Sequence, residues 1–190
     1  MSQSVVSPGG QDQSPPGIQG YLLLICFVAS LGGVLFGYDT AVISGTFTLV
    51  ESFFDLSKIE VGWFASSALV GAILGAAMAG GWSDKSGRKP VLLVSAFLFF
   101  LSALLCALPI SFTFLIGARF IGGIGVGIAS VLSPLYISEI APPNIRGRLV
   151  AFYQLSIVIG ILLAYFFNSV LLNYSSTHPD GLNNFTFLHD

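Results

Sequence analysis

Charge is what this chain of 190 residues most lacks: seven basic and nine acidic side chains, 8% of the sequence. A soluble domain carries about a quarter charged residues, because its surface must be solvated. So few charges exclude a water-facing globule of this length. No cluster of lysine and arginine is present to neutralise a run of phosphates, and the net charge is −2, so nucleic acid is excluded as a partner. There are only two cysteines, Cys26 and Cys106, both inside apolar runs. They read as small buried hydrophobes, with neither metal-ligand spacing nor a disulfide framework. No nucleophile–base–orienter set and no metal or cofactor motif appears, so the sequence does not read as an enzyme and implies no cofactor. The N-terminal segment lacks the basic region and small-residue cleavage site of a signal peptide and is expected to be retained.

What the sequence does have is apolar length. Hydrophobic residues make up 54% of the chain, and the mean hydropathy is +0.87. Five apolar stretches run from Tyr21 to Thr46, Val61 to Trp82, Pro90 to Leu108, Ser111 to Ile137 and Leu149 to Leu172. Each approaches or exceeds the roughly 20 residues that cross about 30 Å of hydrocarbon as a helix. Helices are required, because lipid offers a backbone amide no partner. The fold class expected is therefore an all-α membrane bundle, with the lipid bilayer as solvent.

Cations fix the expected orientation. Lys85, Arg88 and Lys89 lie between the second and third spans, and Arg146 and Arg148 between the fourth and fifth. The opposite loops carry Lys58 alone, among Glu51, Asp55 and Glu60. The positive-inside rule puts the N-terminus in the cytoplasm of a cell membrane. Residues 1–19, rich in Ser, Gln, Pro and Gly, are expected as a disordered cytoplasmic tail. Residues 20–172 form the five-helix bundle, and 173–190 an extracytoplasmic loop. The sequons at Asn173 and Asn184 are read as chance matches.

Three G-x-x-x-G pairs, Gly33/Gly37, Gly71/Gly75 and Gly123/Gly127, predict close helix packing or faces that slide. The run GGIGVG at 122–127 is not a nucleotide loop, since no strand precedes it and no acidic ribose partner follows. Asp39 and Arg119 interrupt the apolar stretches with charge at comparable depth, a costly placement that points to a pair, a proton path, or both. Desolvation disfavours an ionised carboxylate and a guanidinium favours it, so relative motion of the two would switch an acid between holding and releasing a proton. Pro134 predicts a kink in the fourth span, with Ser130 and Ser133 able to satisfy a freed carbonyl or line a polar path.

Three segments carry a family resemblance. The loop Gly80-Gly-Trp-Ser-Asp-Lys-Ser-Gly-Arg-Lys resembles the signature between the second and third helices of major facilitator superfamily transporters. RFIGGIGVGIASVLSPLYISEIAPPNIRGRLVAFYQL, from Arg119 to Leu155, and GYDTAVISG at 37–45 resemble the sugar porter family within it, bacterial xylose–proton symporters in particular. The resemblance runs from Tyr21 to Leu172 and implies the N-terminal helical bundle of that fold, about five of the six helices of its first half. It implies alternating-access transport of a hexose or pentose, with sugar and proton as partners. Asp39 matches the proton-carrying aspartate, and Arg119 the arginine that modulates it. Gln154, Phe36 and Ile161 match sugar-site positions; isoleucine at 161 is the glucose-carrier residue and points away from xylose. Asp84, Arg88, Glu139 and Arg146 match a cytoplasmic charge network. The family has twelve spans, so the resemblance implies that a C-terminal half is missing and that the chain is an N-terminal portion. A sugar sensor on the same fold, or a non-transporting fragment, are the alternatives.

Overall fold

In the computed structural model, residues 16–108 and 111–177 are described, and they form five α-helices. These are α1 (Pro16–Phe54), α2 (Lys58–Ser86), α3 (Arg88–Cys106), α4 (Phe112–Ile140) and α5 (Arg146–Thr177). All five are long and apolar enough to cross a membrane. The protein is a multi-pass membrane protein.

Short, well-capped turns set the boundaries. Ser57 caps α2 and forms a capping box with Glu60: the Ser57 amide donates to Glu60 Oε2 (2.8 Å) and the Glu60 amide donates to Ser57 Oγ (3.4 Å). Ser111 caps α4 by accepting from the Phe114 amide at 3.2 Å. One residue, Gly87, separates α2 from α3; its φ of 87° is open to glycine and strained for other residues. Between α4 and α5 the amides of Ile145 and Arg146 both donate to the Pro142 carbonyl.

Two ends differ from the sequence expectation. Helix α1 begins at Pro16, inside the expected tail, because proline's fixed φ suits the first helical position. Helix α5 continues past residue 172 to Thr177, since nothing between the two positions breaks a helix. The expectations for residues 1–15 and 178–190 lie outside the described residues.

Helix α4 is the hub, packed on α1, α2, α3 and α5, while α1 also lies along α5. Backbone proximity explains the glycine spacing. A Cβ at Gly71 or Gly75 would strike the carbonyls of Phe120 and Ile124, and one at Gly123 or Gly127 those of Ala68 and Ala72. Gly37 meets the Ile157 carbonyl and Gly160 that of Val34, which zips α1 to α5 in the same way. Around these seams sit two small cores, one of Ala79, Val91, Ile128 and Leu132, the other of Cys26, Ile137 and Tyr153. Large side chains such as Phe27, Trp63, Ile73, Phe97 and Phe166 face outward, as lipid-facing residues do. Buried serines return their hydroxyls to their own helix, Ser30 to Cys26 O and Ser67 to Phe64 O, each at 2.8 Å.

Helix α4 runs unbroken through Pro134. The Ser130 hydroxyl donates to Gly127 O (2.9 Å), one turn before the carbonyl that proline leaves without its donor, so it does not cap the gap. Ser133 is buried against the position of Gly32.

Candidate functional site

Helices α1 and α4 run in opposite senses, which brings the late part of one beside the early part of the other. Arg119 lies seven residues into α4, roughly 10 Å from its start. Asp39 lies seven residues before Thr46, where the apolar part of α1 ends. The two side chains meet: Arg119 Nη1 donates to Asp39 Oδ1 at 2.9 Å. They are 11% and 21% exposed respectively, so an ion pair joins the two helices within their apolar lengths.

Beneath the pair lies Phe64 of α2, 3% exposed, with the Arg119 guanidinium carbon 5.1 Å from its ring centroid. Arg119 is thus held by a carboxylate on one helix and an aromatic face on another. A cavity of about 310 Å³ opens on the pair, lined among others by Tyr38, Asp39, Ser102, Cys106 and Arg119. It puts a protonatable carboxylate beside space that can admit water. Ser102 is engaged elsewhere, donating to Ala118 O at 2.8 Å.

A second set of charges lies where α2 turns into α3. Arg88 donates from Nη1 to Asp84 Oδ1 (2.7 Å) and from Nη2 to Glu139 Oε1 (3.0 Å); it also bonds Ser83 Oγ. This fork ties the α2–α3 turn to the end of α4. Arg146, expected in the same network, is exposed at the first position of α5 and forms no ion pair among the described residues. The turn through Pro142 and Pro143 starts α5 with that side chain in the open.

The three expected sugar-site residues lie on two helices, Phe36 on α1 and Gln154 and Ile161 on α5. Gln154 and Ile161 lie seven residues apart on one face of α5, exposed and half-buried respectively. Phe36 lines a groove of about 410 Å³ between α1, α3 and α4.

Sequence reasoning missed two residues that the structure brings to the site. Phe64 sits seven residues before Gly71, on the same α2 face as the Gly71/Gly75 pair, and that spacing was the signal available. Asn168 on α5 is buried and donates from Nδ2 to Val42 O (3.4 Å), just beyond Asp39 on α1.

A bundle of membrane-length helices around a glycine-seamed hub, with a charge pair inside the apolar layer and a charged turn at its edge, is the construction of a major facilitator superfamily transporter. Known proteins agree. The family profile "Sugar (and other) transporter" matches residues 25–186. The chain is 43% identical over 164 residues to an arabinose-proton symporter of Bacillus subtilis, covering 86% of this chain and 35% of the relative. It is 44% identical over 174 residues to the D-xylose-proton symporter of Escherichia coli K12, covering 78% and 35%. Among solved structures, the proton:xylose symporter XylE bound to 6-bromo-6-deoxy-D-glucose superposes with a TM-score of 0.76 at 40% identity, covering 82% of this chain and 38% of that one. The inward-open xylose transporter XylE from E. coli gives 0.74 at 42%, covering 80% and 40%. The chain belongs to the sugar (and other) transporter family, whose members are transporters rather than enzymes. It spans about a third of the length of the curated relatives it matches.

Proposed function

We propose that this chain forms the first five helices of a proton-coupled sugar transporter, with Asp39 as the proton carrier and Arg119 as its modulating partner. The observation that carries the reading is the 2.9 Å ion pair between α1 and α4, set within apolar spans and open to a cavity. Its similarity to proton symporters of arabinose and xylose supports the substrate class. The basic turns between α2 and α3 and between α4 and α5 face the cytoplasm in this reading, with the N-terminus on the same side. The remaining length of such a transporter comes from sequence beyond this chain.

Coupling follows from elementary electrostatics. With Asp39 ionised, the pair fastens α1 to α4, and separating them would strand a charge in low dielectric. A proton on Asp39 removes one of the two charges, and the helices are then free to part. Sugar completes the condition for closure: Gln154 has an amide able to both donate to and accept from hydroxyls, and Phe36 has a ring able to stack on the apolar face of a pyranose. Ile161, two turns along α5 from Gln154, shapes the same face without a hydrogen bond.

The test uses the complete transporter in proteoliposomes with a panel of labelled pentoses and hexoses. Asp39→Asn is expected to abolish uphill accumulation under an imposed proton gradient while leaving downhill exchange of the same sugar. Uphill accumulation that survives the substitution overturns the proton-carrier assignment.

A further inference from the structure

We infer that Phe64 is a positioning residue of the coupling site: its ring holds the Arg119 guanidinium in place while Asp39 is protonated. This rests on the reading of Asp39 as the proton carrier and extends it to a third helix.

Arg119 is 11% exposed and cannot lose its proton, so it needs compensation in every state of the cycle. The carboxylate supplies this only while it is ionised. Once Asp39 takes a proton its charge is gone, and among the described residues the Phe64 ring, 5.1 Å from the guanidinium and itself 3% exposed, remains to attract the cation. The face of an aromatic ring attracts a cation whatever the proton occupancy nearby, and more strongly where water is excluded. The titratable groups lining the cavity are Tyr38, Asp39, Cys106 and Arg119, and among the described residues Asp39 and Arg119 are its only charged ones. No second carboxylate among them lines it to take over the guanidinium. Helix packing anchors Phe64. On the same face of α2, Gly71 and Gly75 press directly on the α4 backbone, which fixes the ring's distance from Arg119. A guanidinium kept beside the protonated acid is poised to favour proton release when the site opens to the other side.

Carrier kinetics separate this role from a structural one. Net uptake requires the proton to leave Asp39, whereas sugar counterflow at equal pH does not. In the complete transporter, Phe64→Leu is expected to lower net uptake about fivefold and to leave counterflow within about twofold. Raising the pH on the release side should restore part of the loss, and Phe64→Tyr should restore most of it. An equal fall in both fluxes, or no fall in net uptake, overturns the inference. Asp39→Asn is run beside it: if that variant still accumulates sugar uphill, it is the proton-carrier reading that fails.

Discussion

Two sites in this molecule use the same chemistry in different surroundings. Arg119 meets Asp39 with side chains 11% and 21% exposed; Arg88 meets Asp84 and Glu139 with 24% against 68% and 41%. The distances are alike, so surroundings decide what each pair does. At the α2–α3 turn water can solvate any charge set free, and the pairs open and close at little cost. Within the apolar layer a freed charge has only the cavity of about 310 Å³ beside the pair from which to draw water. The inner pair is therefore costly to separate and the outer cluster cheap to open; under the proposed function the first is a switch worked by a proton and the second an adjustable latch.

The comparison is broken most forcefully at the inner pair. Asp39→Ala leaves Arg119 buried and unmatched and is expected to destabilise the bundle by about 3 kcal/mol, and Arg119→Leu by a similar amount. The double variant should recover most of that loss, since neither charge then remains. Denaturant titration of helicity in mixed micelles reads all three. A double variant as unstable as the sum of the singles would mean that the pair contributes no coupling.

The seam between the sites sharpens the contrast. Helix α2 bears Phe64 toward one end and Asp84 toward the other, with Gly71 and Gly75 pressed on α4 in between. Gly127→Ala drives a methyl into the Ala72 carbonyl and is expected to destabilise by about 1–3 kcal/mol through overpacking. Gly80→Ala, with nothing within 4 Å of the added carbon, should destabilise nothing. Equal losses at the two glycines would remove backbone contact as the reason for the spacing.

How much of this could be read from sequence follows from what lipid does to pattern. The five spans were legible because hydrocarbon demands uninterrupted apolar length, and Asp39 and Arg119 were legible as exceptions to it. The azimuth of each helix was not. In a soluble protein the polar face shows which side is out, but here the lipid-facing side is as apolar as the core, so Phe64 and Phe36 look alike in sequence. One touches Arg119 and the other lines a groove between α1, α3 and α4. Only the glycine pairs carry facing information, because a missing side chain marks where a backbone must fit. Helix ends were blurred for a related reason: Pro16 and the stretch up to Thr177 are helical without being strongly apolar. Arg146 was grouped with Arg88 on the family resemblance, and a matching position does not say where an exposed side chain points.

The smallest expected effect tests the exposed cluster against the buried pair directly. Salt shortens the reach of exposed charges, the Debye length falling from about 10 Å at 0.1 M to about 3 Å at 1 M. A double-mutant cycle with Arg88→Gln and Glu139→Gln should show a coupling that shrinks by half or more over that range. The Asp39–Arg119 cycle should change far less, because a largely buried pair is screened much less than an exposed one. Arg146→Gln serves as the baseline: this arginine has cluster charge but no ion pair among the described residues, so its coupling to Glu139 should be close to zero at either salt. A salt-insensitive coupling at Arg88 would mean that the turn is shielded from water like the inner site, and the distinction between latch and switch would then have to rest on protonation alone.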